Sequence, residues 1–256
     1  MELKICHMYP DVLNLYGDRG NVMCMQQRLK WRGIENSVTR LPIGSRASLA
    51  GFDLVFIGGG QDFEQQVLLE DLHRGKDREI LAAVADGVPF LTICGGYQMM
   101  GNYYETYDGV RCDFIGAVDL YTVGSKKRMI GNYKFRCEEA SGGSLVVGFE
   151  NHSGQTFLGE GVQPRKVWPQ TFLGEGVQPL GRVLAGFGNN GQDGTEGVRY
   201  RNLFGTYSHG PVLPKNPALC DHILLTALIR KYGAAELAPL DDAAELAAHD
   251  AMAERI

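Results

Sequence analysis

Along the first hundred residues, short apolar runs alternate with stretches of helical period. Residues 3–8 form an apolar run that reads as a first strand. Over residues 21–31, Val22, Met23, Met25 and Leu29 fall near helical spacing, and Arg32-Gly33 supplies a stop. Residues 37–41 are consistent with a second strand, and 52–57 are apolar and end in Gly58-Gly59-Gly60. Residues 76–85 read as a helix closed by Asp86-Gly87, and 89–94 as another strand, which ends on Cys94. Strands that are apolar throughout and alternate with helices predict a parallel sheet covered on both faces.

The second half has a different rhythm. Residues 114–123, 133–137, 145–150 and 183–187 are short β-prone runs between turn signals, and 196–211 is a β-prone stretch ending at a His-Gly-Pro break. Residues 216–231 carry Leu219, Ile223, Leu224, Leu228 and Ile229 near a 3.6 period, the signature of an amphipathic helix. The Ala/Glu/Asp-rich last twenty residues read as a surface helix or a tail. The decapeptide QTFLGEGVQP occurs twice, at 155–164 and 170–179. Two copies are too few for a solenoid. The repeat reads as a local duplication that lengthens one loop, which costs little closure entropy.

Composition narrows the classes. With 256 residues, 44% of them hydrophobic, the chain is long enough for a sizeable core. A net charge of −5 argues against nucleic acid as the ligand. No run approaches the roughly 18 apolar residues of a membrane span, and the start lacks a signal-peptide pattern, so a cytosolic protein is expected. The six cysteines are scattered without a CxxC pair, which predicts neither a disulfide framework nor a zinc site.

Cys94 stands out among them. A strand that ends on a nucleophile and turns sharply into a helix lifts that side chain above the sheet edge. Gly95 offers a backbone N–H to an oxyanion, and Gly95 and Gly96 let a substrate approach without a Cβ clash. The helix N-terminus favours a thiolate. Packing alone would also explain a small thiol at this point. The Gly58-Gly59-Gly60 turn favours chemistry, because it belongs to the same rim of a parallel sheet, where ligands bind. It carries no GxGxxG or GxxxxGK[ST] pattern, so a nucleotide site is not indicated. A thiol nucleophile needs a base. His73, His222 and His249 lie in helical or charged surroundings and are expected to be solvated. His7 ends the first strand, His152 sits in FENHSG, and His209 ends a strand-like run before a rigid Gly-Pro break. The mount of His209 places it ahead of His152.

These segments together resemble a known family. LYGDRGN (15–21), GGGQDFEQ (58–65), ICGGYQMMGNYY (93–104), IGNYKF (130–135), GFENHSGQTFL (148–158) and NLFGTYSHGP (202–211) look like the cobyric-acid-synthase-type branch of the triad glutamine amidotransferases. Within that branch they resemble the glutaminase subunits of lipid II isoglutaminyl synthases. The resemblance implies a flavodoxin-like three-layer α/β fold with a central, mostly parallel sheet. It implies one glutaminase domain over residues 1–235 and a C-terminal helix or tail over 236–256. Cys94 would attack the side-chain amide of L-glutamine, His209 would move the protons, and Gly60 and Gly95 would supply oxyanion N–H groups. Arg128, in SKKRMIGN, would hold the substrate, and Gln98 would contact it. A guanidinium suits that task because it can pair bidentately with an α-carboxylate. No cofactor or metal is implied. The ammonia would pass to a MurT-like Mur ligase subunit, in a heterodimer, that activates the D-glutamate carboxylate of lipid II with ATP. This chain would thus meet lipid II only through the partner.

Two departures from the family pattern are visible. Many members carry Glu two residues after the histidine; here that position is Pro211. Glu64, Asp18 and Glu150 are the candidates to orient His209. The family pattern also shows one copy of the QTFL…QP segment where this chain has two. Other readings from the same residues are a glutaminase of another cobyric-type enzyme, a free-standing flavodoxin-like cysteine hydrolase and a non-catalytic binding subunit.

Overall fold

A computed structural model describes residues 1–46, 48–60, 68–138, 143–159 and 176–256. The first sheet contains β1 (Glu2–Met8), β2 (Glu35–Leu41), β3 (Leu54–Ile57), β4 (Phe90–Ile93), β11 (Val198–Tyr200) and β12 (Leu203–Thr206), in the order β11-β12-β4-β3-β1-β2. All neighbours are parallel except β11 and β12. Every residue of β3, β4 and β12 is buried, so both faces of the sheet centre are covered. The expected α/β class with a mostly parallel central sheet is what the chain adopts.

The second sheet is built from β5 (Tyr103–Glu105), β6 (Arg111–Asp113), β7 (Leu120–Cys137), β8 (Ser144–Leu158), β9 (Gly181–Ala185) and β10 (Thr195–Glu196). Its spine is a long antiparallel ribbon of β7 and β8 whose register shifts between Gly124 and Met129. The pattern of the chain suggests two separate strands over 114–123 and 133–137, whereas β7 runs unbroken through the polar stretch between them. Residues 114–119 are not strand. The N–H groups of Phe114, Ile115, Ala117 and Val118 bond to the carbonyls of Asn102, Met99 and Met100, which strap this apolar segment to a helix end.

The main helices are α1 (Arg19–Trp31), α2 (Asp77–Ala85), α3 (Gly95–Met99), α4 (Pro217–Tyr232) and α5 (Ala243–Ala253). On α1 the buried positions Asn21, Val22, Met25, Arg28 and Leu29 follow a helical stripe, and Met23 lies off it at 63% exposure. On α4 the stripe is Leu219, Cys220, Ile223, Leu224, Ala227 and Leu228, with Ile229 at its exposed margin. Gly233, in the left-handed region at φ 81°, ends the helix. Helix α5 is attached to the body. His249, expected in solvent, is buried, with Nδ1 2.8 Å from the Lys215 carbonyl, and Lys134 Nζ donates to the Ala253 carbonyl at 3.0 Å. Among the described residues, no helix is long and apolar enough to cross a membrane.

One ion-pair cluster ties α1 to the C-terminal elements. Arg28, fully buried, donates from Nε and Nη2 to Asp221 at 2.7 and 2.8 Å and from Nη1 to Asp242 at 2.6 Å. Arg32 adds two bonds to the same Asp221. Burial works to raise the Asp221 carboxyl, and the bonds from the two arginines overcome it and hold it below the usual carboxylate range. Removing Arg28 leaves buried carboxylate edges short of a partner. Arg28→Ala is expected to destabilise the fold by about 2–3 kcal/mol, less than a fully buried pair because both aspartates keep some solvent contact. A carboxylate with a depressed value stabilises above its unfolded value and loses that contribution as pH falls. The gap between wild type and Arg28→Ala in urea unfolding should therefore be full at neutral pH and shrink below about pH 4.

Candidate active site

Parallel strands deliver their C-terminal ends to one edge, and three of those ends build the site. β3 runs into Gly58-Gly59-Gly60. β4 runs into Cys94. β12, bonded to β4 through the Cys94 N–H and the Thr206 carbonyl at 2.8 Å, runs into Tyr207-Ser208-His209. Cys94 adopts φ 46°, ψ −105°, a left-handed conformation that a non-glycine residue occupies only at a cost in energy. Its N–H is held by β12 and its carbonyl by Gln98 N–H, so strand and helix clamp the bend from both sides. A Cβ at Gly96 would lie 2.7 Å from the Gly58 carbonyl and 2.8 Å from that of Ile57. Glycine here is what lets α3 start so close to β3.

His209 is fully buried. It forms a two-way backbone bridge with Phe149 of β8, which anchors it to the second sheet. Its Nδ1 lies 3.1 Å from Oδ2 of Asp18, which is also fully buried. Asp18 Oδ2 accepts in addition the Gly59 N–H at 2.8 Å. Gly59 sits at the centre of the group. A Cβ there would come within 2.4 Å of His209 Cε1, 3.0 Å of Asp18 Oδ2 and 3.2 Å of Cys94 Cβ. The three side chains are therefore packed around one missing side chain.

Charge couples them further. His209 Nε2 has no partner in hydrogen-bonding geometry among the described residues. Burial pulls the imidazole down, and the Cys94 sulfur, followed by Asp18, more than offsets it, so the ring is pushed up to about 10. Cys6 is the contrast. It is a buried thiol in the core of β1, and desolvation pushes it up to about 12. All six cysteines are free.

Among the described candidates to orient His209, Asp18 is the one joined to it. Glu150 is occupied elsewhere. Its carboxylate accepts the N–H groups of Phe187 and Gly188 at 2.7 and 2.9 Å and lies 3.6 Å from His152 Nε2. Glu64 lies outside the described residues. His152 stacks on Tyr207 with centroids 3.6 Å apart and is a buried neighbour of the trio. His7 packs edge-on against Phe56, and burial above all lowers it to about 4.

Gly95 is the first residue of α3, so its N–H has no intrahelical acceptor. Gly60 is buried at the end of the described part of the glycine turn. Gln98 is buried, and its amide nitrogen donates to the Tyr207 hydroxyl at 2.9 Å. Burial above all, with the neighbouring Cys94 adding to it, raises that phenol above its usual value. Arg128 lies on β7 at the register break, exposed, and its Nε donates to Asn151 Oδ1. The duplicated segments mostly fall outside the described residues.

The site follows the pattern of thiol enzymes that cleave amides or esters. Residues 4–217 match the model of the CobB/CobQ-like glutamine amidotransferase domain, and the chain belongs to that family. It is similar to subunit GatD of lipid II isoglutaminyl synthase (glutamine-hydrolyzing) from Staphylococcus aureus, at 38% identity over 99% of this chain and 96% of that protein. It is also similar to the same subunit from Streptococcus pneumoniae, at 36% identity over 91% and 83%. Among solved structures, PurLQS from Thermotoga maritima shares the fold with a TM-score of 0.55 at 16% identity, covering 89% of this chain and 98% of that one.

Two outcomes test the geometry. Gly59→Ala should push the trio apart and slow alkylation of Cys94 by iodoacetamide by ~100-fold, the scale of a one-ångström misplacement. In Cys94→Ala, His209 loses its strongest raising influence. Its imidazole, followed by NMR, should titrate well below the value of about 10 in the native chain.

Proposed function

We propose that this chain is the glutaminase subunit of a lipid II isoglutaminyl synthase, with Cys94 as nucleophile, His209 as proton carrier and Asp18 as the group that orients it. The observation that carries the reading is a strained thiol beside a buried imidazole–carboxylate pair, packed around Gly59 at a parallel-sheet edge. Whole-chain similarity to GatD subunits supports the substrate and the pathway step.

The chemistry follows from the charges. A raised His209 keeps a proton on Nε2 beside the Cys94 sulfur, while Nδ1–H points at Asp18. The thiolate attacks the δ-carbonyl carbon of L-glutamine, and the C=O electron pair moves onto oxygen. The N–H groups of Gly60 and Gly95 hold that oxyanion. Each such donor is worth roughly 3 kcal/mol at the transition state. His209 gives its Nε2 proton to the amide nitrogen, the C–N bond breaks, and ammonia leaves a thioester on Cys94. Water then attacks with His209 as base, the C–S bond breaks, and glutamate departs with the thiolate restored. The sum is glutamine plus water to glutamate plus ammonia. Arg128 holds the α-carboxylate. Gln98 acts from the inner wall through Tyr207.

Ammonia then goes to a MurT-like ligase subunit in a cytoplasmic heterodimer, which activates the D-glutamate carboxylate of lipid II with ATP. No nucleic acid takes part, and no metal or cofactor of its own enters these steps.

Treatment with diazo-oxo-norleucine followed by mass spectrometry should find the label on Cys94. Cys94→Ala, assayed with the ligase partner, should release no ammonia from glutamine, while Cys112→Ala behaves as wild type. Asp18→Asn should cut kcat by ~100-fold or more with little change in KM, as for a lost imidazole-orienting carboxylate. Full glutaminase activity in Cys94→Ala would end the assignment.

A further inference from the structure

Among the described residues, Tyr16 contacts His209 directly and Arg128 through Asn151. It adopts φ 54°, ψ 22°, a left-handed conformation unfavourable for an aromatic residue, two positions before Asp18. Burial does not compensate, because the residue is 42% exposed. What the bend achieves is placement. The ring meets the His209 imidazole edge to face, with centroids 5.0 Å apart and planes at 69°. It meets Phe149 in the same manner at 5.5 Å. On its far side, the Tyr16 hydroxyl oxygen accepts from Asn151 Nδ2, and Asn151 Oδ1 accepts from Arg128 Nε. Asn151 is 9% exposed. Four residues from segments distant in sequence thus form one relay from His209 to the guanidinium of Arg128.

We propose that Tyr16 is a positioning residue that sets the spacing between the substrate-holding arginine and the base. Its ring steadies His209, and its hydroxyl, through Asn151, fixes the plane of the Arg128 guanidinium. This rests on the glutaminase reading above. The chemistry asks for such a spacer. The α-carboxylate and the δ-amide of glutamine are separated by a fixed run of carbons. If the guanidinium is held at one end, the amide reaches Cys94 only when the two ends stand at the right separation. Asparagine, one methylene shorter, would fall short. A rigid link therefore selects glutamine by length, and loosening it should cost selectivity as well as affinity.

The test uses the full chain with its ligase partner and measures glutamine and asparagine hydrolysis. Tyr16→Phe keeps the ring and removes the oxygen that Asn151 binds. It should raise KM for glutamine ~5-fold, more than it lowers kcat, and reduce the glutamine-to-asparagine ratio of kcat/KM. Asn151→Ala should do the same, and the double variant should be no worse than Asn151→Ala, because both break one relay. Tyr16→Ala removes the ring and should lower kcat by ~10-fold or more. It should also slow iodoacetamide alkylation of Cys94 at neutral pH. Unchanged KM and selectivity in Tyr16→Phe, multiplying effects in the double variant, or unchanged Cys94 alkylation in Tyr16→Ala would each overturn the proposal. Failure of the glutaminase reading looks different. There the wild type itself, with its partner, would release no ammonia from glutamine, and the alkylation rates would still decide whether Tyr16 supports His209.

Discussion

The interaction on which the site depends is the buried contact between His209 and Asp18, two residues 191 positions apart in the chain. Neither is exposed to solvent, and a charge taken out of water is costly unless it is paired. Each partner justifies the other's burial, and the Gly59 N–H satisfies the remaining demand of the carboxylate. The segment that carries Asp18 is laid directly over the glycine turn. Leu15 N–H bonds to the Gly59 carbonyl, and a Cβ at Gly58 would meet the Leu13 carbonyl at 2.1 Å. Two consecutive glycines are therefore a condition for the acid to reach the base.

The second sheet is part of the same construction. β8 pairs with β7 along its length and also bridges His209 through Phe149, so the edge of one sheet is stitched to the other at the imidazole. From that strand, Glu150, Asn151 and His152 enter the surroundings of the trio. Gly154 leaves room for the amide of Gln98, since a Cβ there would stand 2.5 Å from its Nε2. The inner wall around Tyr207 is accordingly a network of hydroxyls and an amide, with Thr156 Oγ1 2.6 Å from the phenol and Thr122 Oγ1 2.7 Å from Thr156 Oγ1.

Much of this was legible in the chain, for identifiable reasons. The strands of the parallel sheet are short, apolar and punctuated by glycine, and the bend at Cys94 announces itself as a thiol followed by two glycines. The long β7 was not legible. Its middle, Gly124-Ser125-Lys126-Lys127-Arg128, has the composition of a turn, and only pairing with β8 on either side carries the strand through it. The choice of Asp18 over Glu150 was hidden as well. Both are acidic residues near family-like segments, and what separates them is a tertiary fact. One carboxylate meets the His209 imidazole, and the other is taken up by two backbone N–H groups and lies beside His152. Tyr16 gave no signal, because a left-handed tyrosine is invisible until the backbone is traced.

Cys94 and His209 extend from adjacent parallel strands joined by backbone hydrogen bonds. A twist or flexing of the sheet carries sulfur and imidazole along in common, as two passengers on one deck, and changes their separation little. Asp18 and Tyr16 arrive from outside the sheet, on a short turn with Gly17 in the left-handed region. Whatever tunes this enzyme from a distance has little purchase on the strands. It would act through that turn, and because Leu15 and Asp18 are bonded to Gly59, any shift there would carry the glycine turn with it.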